Sequence, residues 1–462
     1  MNGLRGHGAS ILVAALGSAF GVALLQVTGA LAAALRADDV TGSSNTVALL
    51  LRIVAFVFIV IAVYVAAVVT ANTFSTIVAG RVRSIALMRL LGSSARRERG
   101  RIAREGFAVG IVGSLLGGVA GTLVAVGTER VAVMAGIMPE SGYTYSDPVI
   151  LIPVLGVVLT TWAASWVGSR RVTTVTPLEA LGRSEELSRE EAVARPGRNV
   201  VALTFTILGV VLLALGVLAG LVSPIGVLVG LVGGIFSFTG IVFGADVVMP
   251  PVLRLVGRVL GRSAAGRLAA ENAVRHPQRS SRATIGLVIG VTLVTMFSVA
   301  MASYEALVRR AQELNPEVYQ GIDTMLAATT AVFSILVGFS GLIAAVGLVN
   351  NLSLSVLQRR RELGLLRALG FTVRQVRGMV LSESAQLTFS AVVLGLVLGA
   401  IYGWAGAQSL LGSAAEGFVV PGMPWLAIGI VVAAGAVLTA VASWAPARAA
   451  VRVTPVEALA VE

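Results

Sequence analysis

Ten long apolar segments constrain the fold of this chain more than any other feature. They lie near residues 10–34, 47–72, 105–127, 149–169, 200–221, 225–247, 283–304, 326–350, 384–407 and 425–446. A helix that crosses the hydrocarbon core needs about 20 apolar residues, and its backbone groups must be hydrogen bonded within the helix. The sequence therefore predicts an all-α polytopic membrane protein with about ten transmembrane helices.

The distribution of arginine predicts the orientation of these spans. Every basic side chain is an arginine, and 30 of the 35 fall on cytoplasmic segments if the N-terminus is cytoplasmic. This asymmetry follows the positive-inside rule and predicts that both termini face the cytoplasm, in the inner or plasma membrane. The net charge of +12 then lies at the cytoplasmic membrane boundary. We therefore expect contacts with membrane lipid and no nucleic-acid binding.

The first span allows two interpretations. Residues 1–34 could form a signal peptide with Arg5 as its charged region, or a retained transmembrane helix. Arg5 and His7 precede the first apolar segment as Arg275 and His276 precede the seventh. A signal peptide would not recur in mid-chain, so we favour the retained helix.

Several chemistries are excluded by residue type. The chain has no Cys, which excludes disulfides, thiol catalysis and Cys-ligated zinc. It has no Lys, so it lacks the Gly-Lys-Ser/Thr of a nucleotide-binding P-loop. No pattern of catalytic or metal-ligating residues is recognisable. We predict a non-catalytic chain with no cofactor of its own, and any ATP and Mg²⁺ would bind a partner subunit.

An internal repeat divides the chain. Residues 75–92 align without a gap to 353–370, and at the same offset of 278 residues the segment 165–181 aligns to 443–459. We predict a first four-helix unit at 1–182, a cytoplasmic linker at 183–199, two linking spans at 200–265, and a second unit at 266–462. Because two spans separate the units, both units have one orientation. Such parallel repeats differ from the inverted repeats of many secondary transporters.

Each unit contains a basic amphipathic helix on the predicted cytoplasmic side. In the second unit, Leu residues at helical spacing form an apolar face and Arg residues form the other side. Gly370 is predicted to end this helix in the left-handed conformation, and Thr372 to cap the next helix. Gly92 and Ser94 are their counterparts. Each unit is thus predicted to form a short cytoplasmic helix, a rigid corner and a basic helix that enters the membrane.

The repeated helix could be an interfacial anchor for anionic lipid or a docking element for a cytoplasmic partner. Duplication favours docking, since two equivalent helices on one face can engage two copies of one partner. Glu105 and Glu383, where spans 3 and 9 begin, allow a similar choice between membrane-edge caps at helix N-termini and a coupling role. Glycines four residues apart predict that spans 3 and 9 pack closely on another helix; they are Gly113, Gly117 and Gly121, and Gly395, Gly399 and Gly403.

The segments RRRELGLLRALGFTVRQVRGMVLSE (359–383) and RVRSIALMRLLGSSARRERGRIARE (81–105), with the two TPxEAL tails, resemble the FtsX-like permease domain of ABC transporters, the MacB-type superfamily. The resemblance implies a permease served by two copies of a separate cytoplasmic ATPase, which bind ATP and Mg²⁺. It also implies that the helix after the second span of each unit couples to that ATPase, with the single chain acting as a pseudo-dimer. The coupling residues it implies are Arg81, Arg83, Leu87, Arg89 and Gly92 in the first unit, and Arg359, Arg361, Glu362, Leu365, Arg367 and Gly370 in the second.

Two departures bear on this resemblance. The ten-span layout is similar to that of Bce-type resistance permeases, but the loop at 305–325 replaces their large extracellular domain between spans 7 and 8. The first unit has Ser84 where the second has Glu362, which implies that docking of the first copy is weaker or asymmetric.

Three functional hypotheses follow. The first is export or extraction of an amphiphilic, lipid-like or antimicrobial compound, with spans 1, 2, 7 and 8 lining the path and Phe56 and Phe333 as candidate contacts. The second is a mechanotransmission module, by analogy with FtsX of cell division, that relays ATPase motion to an extracellular hydrolase or a sensor kinase. The third is a secondary transporter, which the parallel repeat and the lack of buried ion ligands disfavour.

Overall fold

The computed structural model describes residues 8–36, 45–90, 93–136, 143–145, 147–169, 196–260, 277–314, 369–415 and 417–452, with short stretches between 271 and 345. In these residues the regular structure is helical, and no strand occurs. Eight helices in this part of the chain are long and apolar enough to cross a membrane. The prediction of an all-α polytopic membrane protein is confirmed.

The first unit consists of four helices. They are α1 (Gly8–Arg36), α2 (Asn45–Leu90), α3 (Ala95–Met134) and α4 (Leu151–Gly168), with a 3₁₀ turn at Pro148–Ile150 before the last. The α1 helix packs against both α2 and α3, and α4 covers the two on one side. The α1 helix is largely buried, so its apolar side chains build the core of the unit.

Two linking helices and a short amphipathic helix follow. The α5 helix (Pro196–Gly220) and the α6 helix (Gly226–Phe243) form a tight antiparallel hairpin that packs against the second unit. The α6 helix ends at Phe243, within a few residues of the predicted end of span 6, and α7 (Ala245–Leu260) begins two residues later. The α7 helix buries Met249 and Leu253 and exposes its arginines, so it has one apolar and one charged face and is amphipathic.

The second unit repeats the architecture of the first. The described helices are α8 (Pro277–Leu314), α9 (Val373–Leu411) and α10 (Trp425–Arg452), and helical residues also occur between 326 and 345, within the predicted eighth span. The α8 helix packs on α9 as α1 packs on α3, and α10 packs on α9 as α4 packs on α3. In α10, a shorter apolar helical stretch covers Trp425–Val437.

The predicted glycine packing is confirmed in both units. A Cβ atom at Gly121 would lie 2.6 Å from the carbonyl oxygen of Ala19 on α1. A Cβ atom at Gly403 would lie 2.6 Å from the carbonyl oxygen of Met296 on α8. Only a residue without a side chain permits these backbones to approach so closely. The stripes therefore fix α3 on α1 and α9 on α8.

A cluster of phenylalanines joins the two units. The ring of Phe297 on α8 lies 6.3 Å from that of Phe20 on α1 and 5.7 Å from that of Phe58 on α2. Phe333 and Phe339, in the range of the eighth span, complete the cluster with ring distances of 5.9 Å to Phe58 and 6.0 Å to Phe20. Edge and tilted contacts of this kind add to the energy of apolar burial. The units thus form one continuous core.

Candidate functional site

The corner of the second unit has the predicted geometry. Gly370 has a φ of 97°, in the left-handed region that favours glycine. Thr372 caps α9: its hydroxyl accepts a hydrogen bond from the Gln375 backbone N–H at 3.3 Å, and its own N–H donates to the Gln375 side chain at 2.8 Å. This reciprocal pair is a capping box. The left-handed conformation predicted for Gly370 and the cap predicted at Thr372 are confirmed, whereas the helix that Gly370 is predicted to end lies outside the described residues.

The corner of the first unit is built differently. Ser94 caps α3 as predicted, since its hydroxyl accepts from the Arg97 backbone N–H at 3.2 Å. No reciprocal side-chain bond returns from position 97, but Ser93 donates a hydrogen bond of 2.6 Å to Glu98. Glu98 is only 7% exposed and lies in the first turn of α3, where the helix dipole favours a negative charge. The sequence signal for this interaction is an acidic residue four positions after the cap residue Ser94.

A cation–π contact holds the first corner against α4. The guanidinium carbon of Arg99 lies 4.3 Å from the ring centroid of Trp166. The side chain of Arg99 also reaches the carbonyl oxygen of Trp166 at 3.5 Å. Arg99 and Trp166 are members of repeat pairs with Arg377 and Trp444. The contact gives Arg99 and Trp166 a structural role at the corner of the first unit.

The predicted coupling segment of the first unit is not a separate helix. It forms the last turns of α2, which is continuous over 46 residues, about 70 Å at 1.5 Å per residue. The prediction of a short separate helix is wrong because Gly80 alone weakens a helix by about 1 kcal/mol and does not end it. The backbone of Arg81, Arg83, Leu87 and Arg89 lies in this extension.

Most of the other predicted coupling residues lie outside the described residues. These are Gly92, Arg359, Arg361, Glu362, Leu365 and Arg367. Leu87 is 47% exposed, so its apolar side chain is available at the end of α2. The coupling role of the whole set stays a prediction.

The interpretation of Glu105 and Glu383 as caps at helix N-termini is wrong. Their helices begin at Ala95 and Val373, so each carboxylate lies about three turns inside its helix. The dipole effect is confined to the first turn. Glu105 instead pairs with Arg101 at 3.3 Å on the helix surface, whereas Glu383 is 7% exposed and belongs to the interior of the second unit.

A cavity of about 120 Å³ lies between the hairpin and the two units. Its wall is formed by α2, α5, α6, α8 and α9, and the described residues that line it include no charged side chain. The apolar part of the wall includes Ile61, Leu213, Leu231 and Met296. With the predicted orientation, these positions fall in the middle and outer half of the bundle. The sequence reasoning missed this cavity, since it forms only where distant helices diverge.

Two tyrosines attach α6 to the helices on either side of this cavity. The hydroxyl of Tyr64 on α2 lies 2.8 Å from that of Thr239. The hydroxyl of Tyr402 on α9 lies 3.0 Å from that of Ser237. Thr292 and Ser409 also line the cavity, and their buried hydroxyls make no hydrogen bond in the described structure. The wall is therefore apolar with a few polar groups, as in small-molecule sites.

The phenylalanine cluster lies between spans 1, 2, 7 and 8, along which the path is predicted, and the path itself stays a prediction. Phe333 packs within that cluster. Phe56, the other candidate contact, is 55% exposed on the outside of α2. The two candidate contacts are therefore not brought together.

A glutamine fastens an outer turn in each unit. In the second unit, Gln408 donates to the carbonyl oxygen of Gly417 at 3.1 Å and accepts from the N–H of Val419 at 2.5 Å. In the first unit, Gln26 donates to the carbonyl oxygen of Tyr145 at 3.3 Å. The sequence signal for these two attachments is an isolated glutamine near the outer end of an apolar span.

Tyr145 adds a second attachment for the outer turn of the first unit. Its hydroxyl donates to the carboxylate of Glu129 on α3. Burial raises the pKa of Tyr145 above its ordinary value, and the hydrogen bond and charge of Glu129 raise the pKa further. The phenol therefore remains a neutral donor at physiological pH.

Taken together, the described helices define a polytopic membrane protein with two repeated units. The family model for the FtsX-like permease C-terminal domain matches residues 56–177 and 334–455, two ranges that together cover more than half of the chain. The chain therefore belongs to the FtsX-like permease family. The two matches start 278 residues apart, at the offset of the internal repeat.

Three curated proteins are similar to parts of the chain. The uncharacterised ABC transporter permease YknZ of Bacillus subtilis is 30% identical over 150 residues, 32% of this chain and 35% of that protein. The macrolide export ATP-binding/permease protein MacB of Nitrobacter winogradskyi is 30% identical over 142 residues, 31% of this chain and 21% of that protein. An uncharacterised ABC transporter permease of Methanocaldococcus jannaschii is 28% identical over 139 residues, 30% of this chain and 33% of that protein. The aligned regions thus span about a third or less of each relative.

Proposed function

We propose that this chain is the permease subunit of an ABC transporter, which couples ATP hydrolysis by two copies of a cytoplasmic ATPase to the export or extraction of an amphiphilic compound. The observation that carries the proposal is the duplicated corner, with Ser94 capping α3 and Thr372 capping α9. Because the units are parallel, the two corners belong to one face of the membrane. Two equivalent corners fit two copies of one ATPase.

The construction of each corner supports a role in transmitting motion. A capped helix that starts at a fixed turn moves as a rigid body when its end is displaced. The glycine stripes then join α3 to α1 and α9 to α8 without intervening side chains. A push at a corner would therefore reach the core between the units, where Phe297 contacts Phe20 and Phe58.

Purification of the chain from its host in mild detergent tests the proposed partner. We expect an ABC ATPase at two copies per chain, and its loss when Glu362 and Arg367 are both changed to Ala. The matched control changes Glu305 and Arg309, an ion pair of 2.6 Å on α8 at the predicted outer side, and should retain the ATPase. A chain that carries no ATPase under these conditions would contradict the proposal.

The same purification separates export from mechanotransmission. An extracellular hydrolase or a sensor kinase that co-purifies in stoichiometric amount would favour the mechanotransmission hypothesis. ATPase activity that rises when an amphiphile is added to the purified complex, with no such partner present, would favour export.

The absence of Cys allows a clean test of orientation. Arg96→Cys lies at the start of α3, on the proposed cytoplasmic face, and Ala414→Cys lies in the turn after α9. A membrane-impermeant maleimide should label only Ala414→Cys in intact cells and should label both variants after permeabilisation. Labelling of only Arg96→Cys in intact cells would reverse the proposed orientation and remove the corners from the cytoplasm.

A further inference from the structure

We propose that the cavity between α2, α6, α8 and α9 binds part of the acyl chain of an ester lipid that enters from the outer leaflet. The site lies in the middle and outer half of the bundle in the predicted orientation. It is separate from the cytoplasmic corners. The proposal rests on the proposed function in one respect: the bound lipid is taken to be the exported compound or to occupy its binding site.

The wall of the cavity selects for an apolar chain. Among the described residues, no charged side chain lines it, and the lining is mainly Val, Ile, Leu, Phe and Met. A dry cavity of about 150 Å³ with such a lining can hold one benzene molecule, so about 120 Å³ accepts only a short segment of chain. A charged head group would lose its hydration without gaining a partner, so it would stay outside.

The polar groups predict that the ligand also carries a hydrogen-bond acceptor. In membrane helices, Ser and Thr usually donate to the carbonyl oxygen three or four residues earlier, as Thr239 does to Ile235 at 2.6 Å. Ser409 and Thr292 are almost fully buried and make no such bond. A buried hydroxyl without a partner costs free energy that a ligand carbonyl would recover. In the predicted orientation, Ser409 lies near the outer end of α9. An outer-leaflet lipid has its ester carbonyl at this membrane depth, at the end of the acyl chain.

Two glycines leave open space in the wall. A Cβ atom at Gly234 on α6 or at Gly406 on α9 would have no neighbour within 4 Å, although both residues line the cavity. A Cβ atom added at Gly230, in contrast, would lie 3.1 Å from the Oγ of Ser409. A side chain introduced at position 406 would therefore enter the cavity without displacing the backbone.

The test uses the full chain in nanodiscs of phosphatidylcholine that include a fraction carrying a photoreactive diazirine on one acyl chain. We expect labelled peptides from α2, α6 and α9 at the cavity. Gly406→Leu should lower this labelling about tenfold, because the new side chain occupies the space of at least two methylene groups, and tenfold corresponds to about 1.4 kcal/mol. Gly127→Leu, at an open glycine on α3, is the matched control and should leave the labelling of the cavity peptides unchanged.

A second comparison keeps the proposal testable if Gly406→Leu fails to fold. The wild-type chain should label better with the ester-linked probe than with an ether-linked probe of the same chain length, and Ser409→Ala should abolish this preference. Equal labelling of Gly406→Leu and wild type would mean contact with the outer lipid shell only and would overturn the site. Equal labelling by both probes would overturn the role of Ser409. Because the measurement needs no ATPase, failure of ATPase docking and failure of lipid binding are separate results.

Discussion

In the described residues, the two repeated units differ clearly on one flank of α3 in the first unit and of α9 in the second. On α9 this flank is covered by the α5–α6 hairpin: Ser409 is fully buried and Tyr402 bonds to Ser237. The repeat counterparts on α3 are Val131, which is 66% exposed, and Val124, which is 37% exposed. The duplicated helices kept their glycine stripes and corners, but hydroxyl side chains occur where a helix covers the flank and valine occurs where it is uncovered. In a membrane protein, a polar side chain is tolerated where a neighbouring helix covers it, and an apolar side chain is favoured where it is uncovered.

The largest expected effect tests what the units share. Gly121→Val and Gly403→Val should each destabilise the protein by about 3 kcal/mol, since the new side chain meets a backbone carbonyl on the adjacent helix. Thermal unfolding in detergent measures the effect, with Gly127→Val as the open-glycine control. A large cost in one unit and none in the other would show that the two interfaces are not equivalent.

The next effect tests the outer turns, where the units differ. Gln408→Leu should cost about 2 kcal/mol, because it leaves the carbonyl of Gly417 and the N–H of Val419 without their partner. Gln26→Leu should cost about 1 kcal/mol, because only one bond to Tyr145 is lost. Hydrogen exchange of residues 417–419 and 143–145 shows which turn is released. The reverse order of costs would contradict this account of the turns.

A smaller difference is expected at the corners. Thr372→Ala should destabilise by about 1 kcal/mol, because the capping box with Gln375 is lost, and Ser94→Ala by about 0.5 kcal/mol, because a single cap bond is lost. Thermal unfolding gives the stability change, and ATPase co-purification shows whether the corner affects docking. The conservative variants Thr372→Ser and Ser94→Thr should retain most of the stability. If they are as destabilised as the Ala variants, capping is not the reason.

The smallest effect concerns the cation–π contact of the first corner. A double-mutant cycle with Arg99→Met and Trp166→Leu should give a coupling energy of about 0.5 kcal/mol, since the pair is partly exposed. The same cycle on Arg377 and Trp444 should give a similar value if the second unit repeats the contact. If Arg99 and Trp166 show no coupling energy, their contact does not stabilise the first corner.

Local patterns in the sequence predicted local structure well. The caps at Ser94 and Thr372, the left-handed Gly370 and the two glycine stripes depend on a few neighbouring residues, so they could be predicted. The errors arose where the continuation of a helix decided the outcome. The α2 helix runs past Gly80 to Leu90, and the helices that hold Glu105 and Glu383 begin about three turns before those residues.

By itself, the sequence determined the class of protein, its internal repeat and the caps at Ser94 and Thr372. Hydropathy, arginine distribution and a constant offset are properties of the chain, and the membrane imposes their consequences on any fold it adopts. Only the tertiary structure decided that phenylalanines of both units meet in one cluster, that a hairpin covers one unit, and that a cavity opens beside it. These features depend on which residues from distant helices meet, and apolar helices in a bilayer offer many pairings of similar energy.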